Sequence, residues 1–173
     1  KAIQLKTQHN KKTTEKKNYE DQISKYRNDI KLDPDNAKAH LKIGDIFRKL
    51  YRIDEAVQNY DLAIKIKPDF VQAHINRGIV FIKQKYYDEA VINFSQAIKI
   101  DPNNIQALRL RSAAFKELDM HADAIKDDER AVDLNPDTLY LLGSLLDSKM
   151  KICNWENFDC QINEITKKIK NEE

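Results

Sequence analysis

The chain has 173 residues, enough for one domain with a substantial core, and only three glycines and four prolines interrupt it. Its 30 basic and 28 acidic residues nearly cancel, which fits a solvated helical surface and excludes a strongly basic, nucleic-acid-binding class. No apolar run is long enough to span a bilayer, and the lysine-rich start lacks the apolar core of a secretion signal.

Residues 1–34 read as an N-terminal cap. Ala2 to Lys12 predict a polar, weakly patterned first helix, and Tyr19, Ile23, Tyr26 and Ile30 carry the spacing of a second. Lys1, Lys6, Lys11, Lys12, Lys16 and Lys17 face only Glu15. This stretch reads as a solvated terminal helix, with a basic arm for an acidic partner as the alternative. The chain begins without methionine and in mid-pattern, the expectation for a piece of a longer protein.

Residues 35–136 hold three units of equal length. Pro34, Pro68, Pro102 and Pro136 are each 34 residues apart, and Gly44/Gly78, Phe47/Phe81/Phe115, Ala39/Ala73/Ala107, Ala56/Ala90/Ala124 and Ala63/Ala97/Ala131 keep the same step. Regular helix breakers with small and aromatic residues in phase mark a tandem array, in which each unit buries its apolar face against its neighbours. In the first unit, Ile43, Ile46, Phe47 and Leu50 stripe one helix, and Ala56, Val57, Tyr60, Ala63 and Ile64 a second. Breaks are expected at Tyr51-Arg52, Pro68, Lys85-Tyr86, Pro102, Asp119-Met120 and Pro136. Asp35, Asp69, Asn103 and Asp137 follow the prolines and are expected to accept from the free amides of the next helix. Gly44 is expected to face Ala56, and Gly78 to face Ala90, so that two backbones approach closely.

Residues 137–173 read as a divergent helix pair. Leu146 stands where Gly44 stands and Phe158 where Ala56 stands, so this pair is expected to splay or shift. Cys153 and Cys160, seven residues apart on a predicted helix, suggest reduced thiols in a cytosolic protein, hence a cytoplasmic location.

The repeated residues resemble the tetratricopeptide (TPR) family. The first full unit reads His40, Ile43-Gly44, Phe47, Ala56, Tyr60, Ala63, Pro68. The second reads His74, Arg77-Gly78, Phe81, Ala90, Phe94, Ala97, Pro102, and the third Leu108, Arg111-Ser112, Phe115, Ala124, Asp128, Ala131, Pro136. The resemblance implies an all-α, right-handed solenoid of antiparallel helix pairs, with first helices lining a concave groove. A second resemblance lies in Leu141-Leu142-Gly143, Leu145-Leu146, Lys149-Met150, Cys153-Asn154-Trp155 and Phe158-Asp159. These are similar to the segment that closes the TPR array in O-GlcNAc-transferase-like (SPINDLY-type) proteins, with Asn154 in place of the Asp of that element.

Candidate chemistry is sparse. His40 and His74 occupy equivalent repeat positions and read as structural. His9 and His121 are isolated, and the two cysteines lack partners at zinc-ligand spacing. No glycine-rich phosphate loop or nucleophile elbow occurs, and no carboxylate pair stands out. The expectation is therefore no catalytic residue, no metal and no cofactor. Asp128 replaces the aromatic of Tyr60 and Phe94, with Arg111 on the facing helix and Asp127 beside it. A half-buried ion pair of Arg111 with Asp127 or Asp128 accounts for both departures; the alternative turns Asp128 to solvent.

Function is expected in the groove. Its lining would be Lys38, Leu41, Lys42, Asp45, Arg48 and Lys49, then Gln72, Ile75, Asn76, Ile79 and Ile82, then Gln106, Arg109, Leu110, Ala113 and Lys116. An apolar centre with a charged rim marks a partner site; the alternative is that Ile75, Ile79 and Ile82 pack against neighbouring helices. The TPR carboxylate clamp would fall on Leu41, Asp45, Asn76, Gln106 and Leu110, and the asparagine ladder of O-GlcNAc transferases on Lys42, Asn76 and Leu110. Only Asn76 matches either mode. The sequence thus reads as a non-catalytic scaffold that binds a protein or peptide segment with apolar anchors and some negative charge, without nucleic acid or membrane. The rival reading is the substrate-recognition arm of a larger glycosyltransferase. A third is self-assembly into a homo-oligomer through the terminal helices.

Overall fold

The computed structural model describes residues 2–136, 138–152, 162 and 166, with the backbone alone for residues 2–16 and 139. The described residues are helical and contain no strand. The helices are α1 (Ala2–Leu32), α2 (Ala37–Lys49), α3 (Ile53–Ile66), α4 (Val71–Lys83), α5 (Tyr87–Ile100), α6 (Ile105–Glu117), α7 (His121–Leu134) and α8 (Leu139–Lys151). Every expected break falls between two of these helices. The two stretches expected before Pro34 instead form the single helix α1. Neither glycine nor proline lies between Lys12 and Tyr19, so nothing in the backbone interrupts it. The chain forms two compact units, one ending at Ala73 and one beginning at His74.

In the first unit α2 packs on α1 and α3. Ala56, Tyr60 and Ala63 on α3 are fully buried, and Ile43 and Phe47 on α2 are buried. A Cβ added to Gly44 would lie 2.7 Å from Cε1 of Tyr60 and 3.2 Å from the carbonyl oxygen of Ala56. The Tyr60 hydroxyl donates to Asp45 (2.9 Å) and accepts from Nε of Arg48 (3.3 Å). Burial, and secondly the Asp45 charge, push this phenol's pKa well above its usual value.

In the second unit α6 packs against α5 and α7, and α8 against α7. A Cβ on Gly78 would meet the ring of Phe94, at 2.6 Å from Cε1. The glycines therefore make room for an aromatic ring, rather than chiefly for the alanine expected opposite. In the next pair Ser112 and Asp128 replace glycine and ring together. With no ring to accommodate, the small Ser112 side chain fits and is wholly buried.

The helix ends follow the same period. Tyr51, Lys85 and Asp119 have φ of 59°, 63° and 57°, the left-handed conformation that normally favours glycine. Arg52, Tyr86 and Met120 each donate their amide to the carbonyl of Phe47, Phe81 or Phe115 at 2.9 Å. The left-handed residues donate to Arg48, Ile82 and Lys116. This is the Schellman closure three times over. The helix starts differ from expectation by one residue. Oδ1 of Asn36 and of Asn104, not of Asp35 and Asn103, accepts from Ala39 and Ala107, each at 3.0 Å. A cap accepts from the third residue on, and Asn36 and Asn104 stand at that distance from Ala39 and Ala107. Phe70 holds the same position before α4 and has no side-chain oxygen to offer. Asp137 lies outside the described residues.

Candidate functional site

The polar side chains of α6 divide into those already used and those still available. Arg111 makes a two-pronged ion pair with Asp127, Nε and Nη2 each 2.7 Å from a carboxylate oxygen, while Nη1 donates to Oγ of Ser95 at 3.0 Å. The expected Arg111 pair thus falls on Asp127. Asp128 is 1% exposed, which removes the solvent-facing alternative. Its carboxylate takes a different cation: Nζ of Lys116 lies 3.0 Å away, and the hydroxyl of Ser148 on α8 donates at 3.0 Å. Lys116 also donates to Oγ of Ser144 at 2.7 Å. Lys149, itself buried, reaches Glu129 at 3.1 Å. A polar network therefore docks α8 where earlier pairs use glycine and a ring.

Arg109 is the third long cation of α6. Its guanidinium lies 4.3 Å from the centre of the Tyr140 ring on α8, and it is exposed. Beneath this pair is a concavity of about 230 Å³ lined by Ile79, Gln106, Arg109, Leu110, Ala113 and Tyr140. Five of the expected groove residues, Ile79, Gln106, Arg109, Leu110 and Ala113, are thus brought together. Tyr140 was missed, because residues after Pro136 read as divergent. The signal was present: Lys38, Gln72, Gln106 and Tyr140 are successive members of one 34-residue series.

Other expected groove residues fall elsewhere. Ile75 is 1% exposed, and Leu41 and Asn76 are also buried. Leu41, Ile75 and Arg109 hold one repeat position; its apolar members turn into the packing, whereas arginine keeps its head group in water. Leu41 and Ile75 are core residues and offer a ligand almost no area. Asp45 is half-buried and holds Tyr60. Lys116, expected at the groove, is committed to Asp128. Lys38, Lys42 and Gln72 are exposed in the first unit, and Ile79 and Ile82 are half-exposed in the second. His40 Nδ1 lies 3.5 Å from Oδ1 of Asn59, a structural contact between α2 and α3.

No helix among the described residues is long and apolar enough to cross a membrane. Cys153, Trp155, Phe158 and Cys160 lie outside the described residues, and with them the expected Leu146–Phe158 splay and the second half of the glycosyltransferase-junction resemblance.

Comparison with known proteins agrees with this geometry. Residues 44–85 match the TPR repeat model and residues 71–104 the tetratricopeptide repeat model, so this stretch of the chain carries tetratricopeptide repeats. No curated protein matches the chain. Among solved structures, residues 41 to the end of MamA from Desulfovibrio magneticus RS-1 are 16% identical with a TM-score of 0.77, covering 94% of this chain and 92% of that one. YrrB, a TPR protein with an unusual peptide-binding site, is 17% identical at a TM-score of 0.75, covering 83% of this chain and 74% of that one. The first TPR of Spaghetti (RPAP3), bound to the HSP90 peptide SRMEEVD, is 22% identical at 0.64, covering 68% of this chain and 93% of that one. At these identities the likeness is one of fold, that of a TPR helical solenoid.

Proposed function

We propose that this chain is a non-catalytic interaction module, with residues 35–136 as its repeats and the flanking segments as caps, and that it holds a peptide or protein segment on its second unit. The observation that carries the reading is the concavity of Ile79, Gln106, Arg109, Leu110, Ala113 and Tyr140. Its volume, about 230 Å³, is below the roughly 300–1,000 Å³ of small-molecule and cofactor sites. It suits one anchoring side chain of a longer ligand. Its aliphatic floor supplies apolar area worth about 25 cal/mol per Å² buried, and Gln106 can both donate to and accept from a peptide backbone. Two neighbours of the same fold, YrrB and the first TPR of Spaghetti, engage peptides, which supports the reading. The rival role, as an arm of a glycosyltransferase, rests on residues 141–159 alone.

The test is quantitative affinity capture from native extract with Ile79→Asp and Ala113→Asp chains. Ile92→Asp serves as control, since Ile92 on α5 is 59% exposed and outside the concavity. The two site variants are expected to lose the captured partner while helical circular dichroism is preserved, and Ile92→Asp to retain it. Equal capture by all chains would reject this surface as the working one.

A further inference from the structure

We infer that the Arg109–Tyr140 pair is a subsite for an acidic side chain, so that the favoured ligand carries Asp or Glu beside an aliphatic residue. This deepens the proposed function and rests on the Ile79–Tyr140 concavity being the working surface. Three observations lead there.

The first is the distribution of charge on α6. Arg111 and Lys116 are both neutralised by carboxylates of α7, at 2.7 and 3.0 Å. Arg109 makes no ion pair among the described residues. It lies over the Tyr140 ring, at 4.3 Å. A cation left unpaired on a helix whose other cations are paired is one available to a ligand.

The second is how the guanidinium is held. The guanidinium carbon lies over the Tyr140 ring, and the N–H donors directed away from the ring stay open to a carboxylate, which a guanidinium grips in a two-pronged manner. The contact also limits the rotamers of a long side chain, so less conformational entropy is lost on binding than for a free arginine. Tyr140 is 61% exposed, so the pair stands at the surface.

The third is what adjoins the pair. Ile79, Leu110 and Ala113 line the same concavity, an aliphatic recess one residue's reach from the guanidinium. Charge and recess together specify a dipeptide chemistry: a carboxylate on the arginine edge and an aliphatic side chain in the recess.

The experiment is selection from a random linear-peptide display library, with a fixed neutral C-terminal extension, on the wild-type chain, Arg109→Gln and Tyr140→Ala. Selected peptides are then synthesised as Glu and Gln pairs and titrated. Wild type is expected to enrich Asp or Glu next to Leu, Ile, Val or Met, with the Glu peptide binding about tenfold tighter than its Gln twin, the scale of one charge-assisted hydrogen bond. On Arg109→Gln the preference is expected to collapse to about onefold while aliphatic enrichment persists, and Tyr140→Ala is expected to weaken it. Peptides selected without acidic enrichment, or with the same Glu-over-Gln preference on Arg109→Gln, overturn the subsite and leave peptide binding standing. A library that yields no binder to the folded wild-type chain overturns both.

Discussion

A methyl group on Gly78 would lie 2.6 Å from Cε1 of Phe94, well inside contact distance. The absent side chain of α4 and the ring of α5 are thus one feature, repeated by Gly44 and Tyr60 in the preceding pair. Phe94 is completely buried, so the ring has little room to withdraw. Gly78→Leu is expected to destabilise the chain by about 1–3 kcal/mol through overpacking, read as a lower urea midpoint at unchanged slope. An unchanged midpoint would show that the ring can move aside.

Gly143 makes the contrast. It lies within α8, is exposed, and a Cβ there would meet nothing within 4 Å. Gly143→Ala is therefore expected to stabilise by about 0.5–1 kcal/mol, the helix-propensity difference alone. Loss of stability on denaturation would mean that a covering surface occupies this face.

The left-handed helix caps make another. Lys85 holds φ of 63° with a side chain attached, a conformation that disfavours non-glycine residues by roughly 1–2 kcal/mol. Lys85→Gly relieves that strain but enlarges the freedom of the unfolded chain, so the expected net gain is about 0.5 kcal/mol. The thermal midpoint should rise by a few degrees at most. A marked fall would show that the Lys85 side chain contributes more than the backbone conformation costs.

Two carboxylates on α7 should behave very differently. Asp128 is buried against Lys116, Ser144 and Ser148, whereas the Asp123–Lys126 pair at 2.8 Å is largely exposed. Asp128→Ala strands a half-buried ammonium and a buried hydroxyl, with an expected loss of about 3 kcal/mol. Asp123→Ala is expected to change stability by no more than about 1 kcal/mol. Hydrogen exchange should localise the Asp128→Ala effect to α8, and equal losses for the two variants would refute the docking role.

Ser112 is completely buried, and its Oγ has no hydrogen-bond partner among the described residues. Replacing it by alanine removes an unpaired hydroxyl and leaves the methylene's packing, so Ser112→Ala is expected to stabilise by about 1 kcal/mol. Destabilisation on chemical denaturation would point to an ordered water on that hydroxyl.

The repeat was legible in the sequence because its causes are local. Proline removes an amide wherever it stands, glycine and alanine mark close approach, and a 34-residue phase multiplies weak signals. The helix breaks from Pro34 to Pro136 follow from that phase, and the Arg111 pair with Asp127 or Asp128 from the departures from it. Three features needed the folded chain. Asp128 chose Lys116 over Arg111 because α8 brings Ser144 and Ser148 to the same carboxylate, a contact between residues 16 and 20 positions apart. Ile75 left the expected binding surface while Ile79 remained on it, because burial depends on which neighbouring helix covers each turn, and spacing alone does not say. Tyr140 joined the site for the same reason. The local sequence determined where helices start and stop; packing decided which of their side chains still face a ligand.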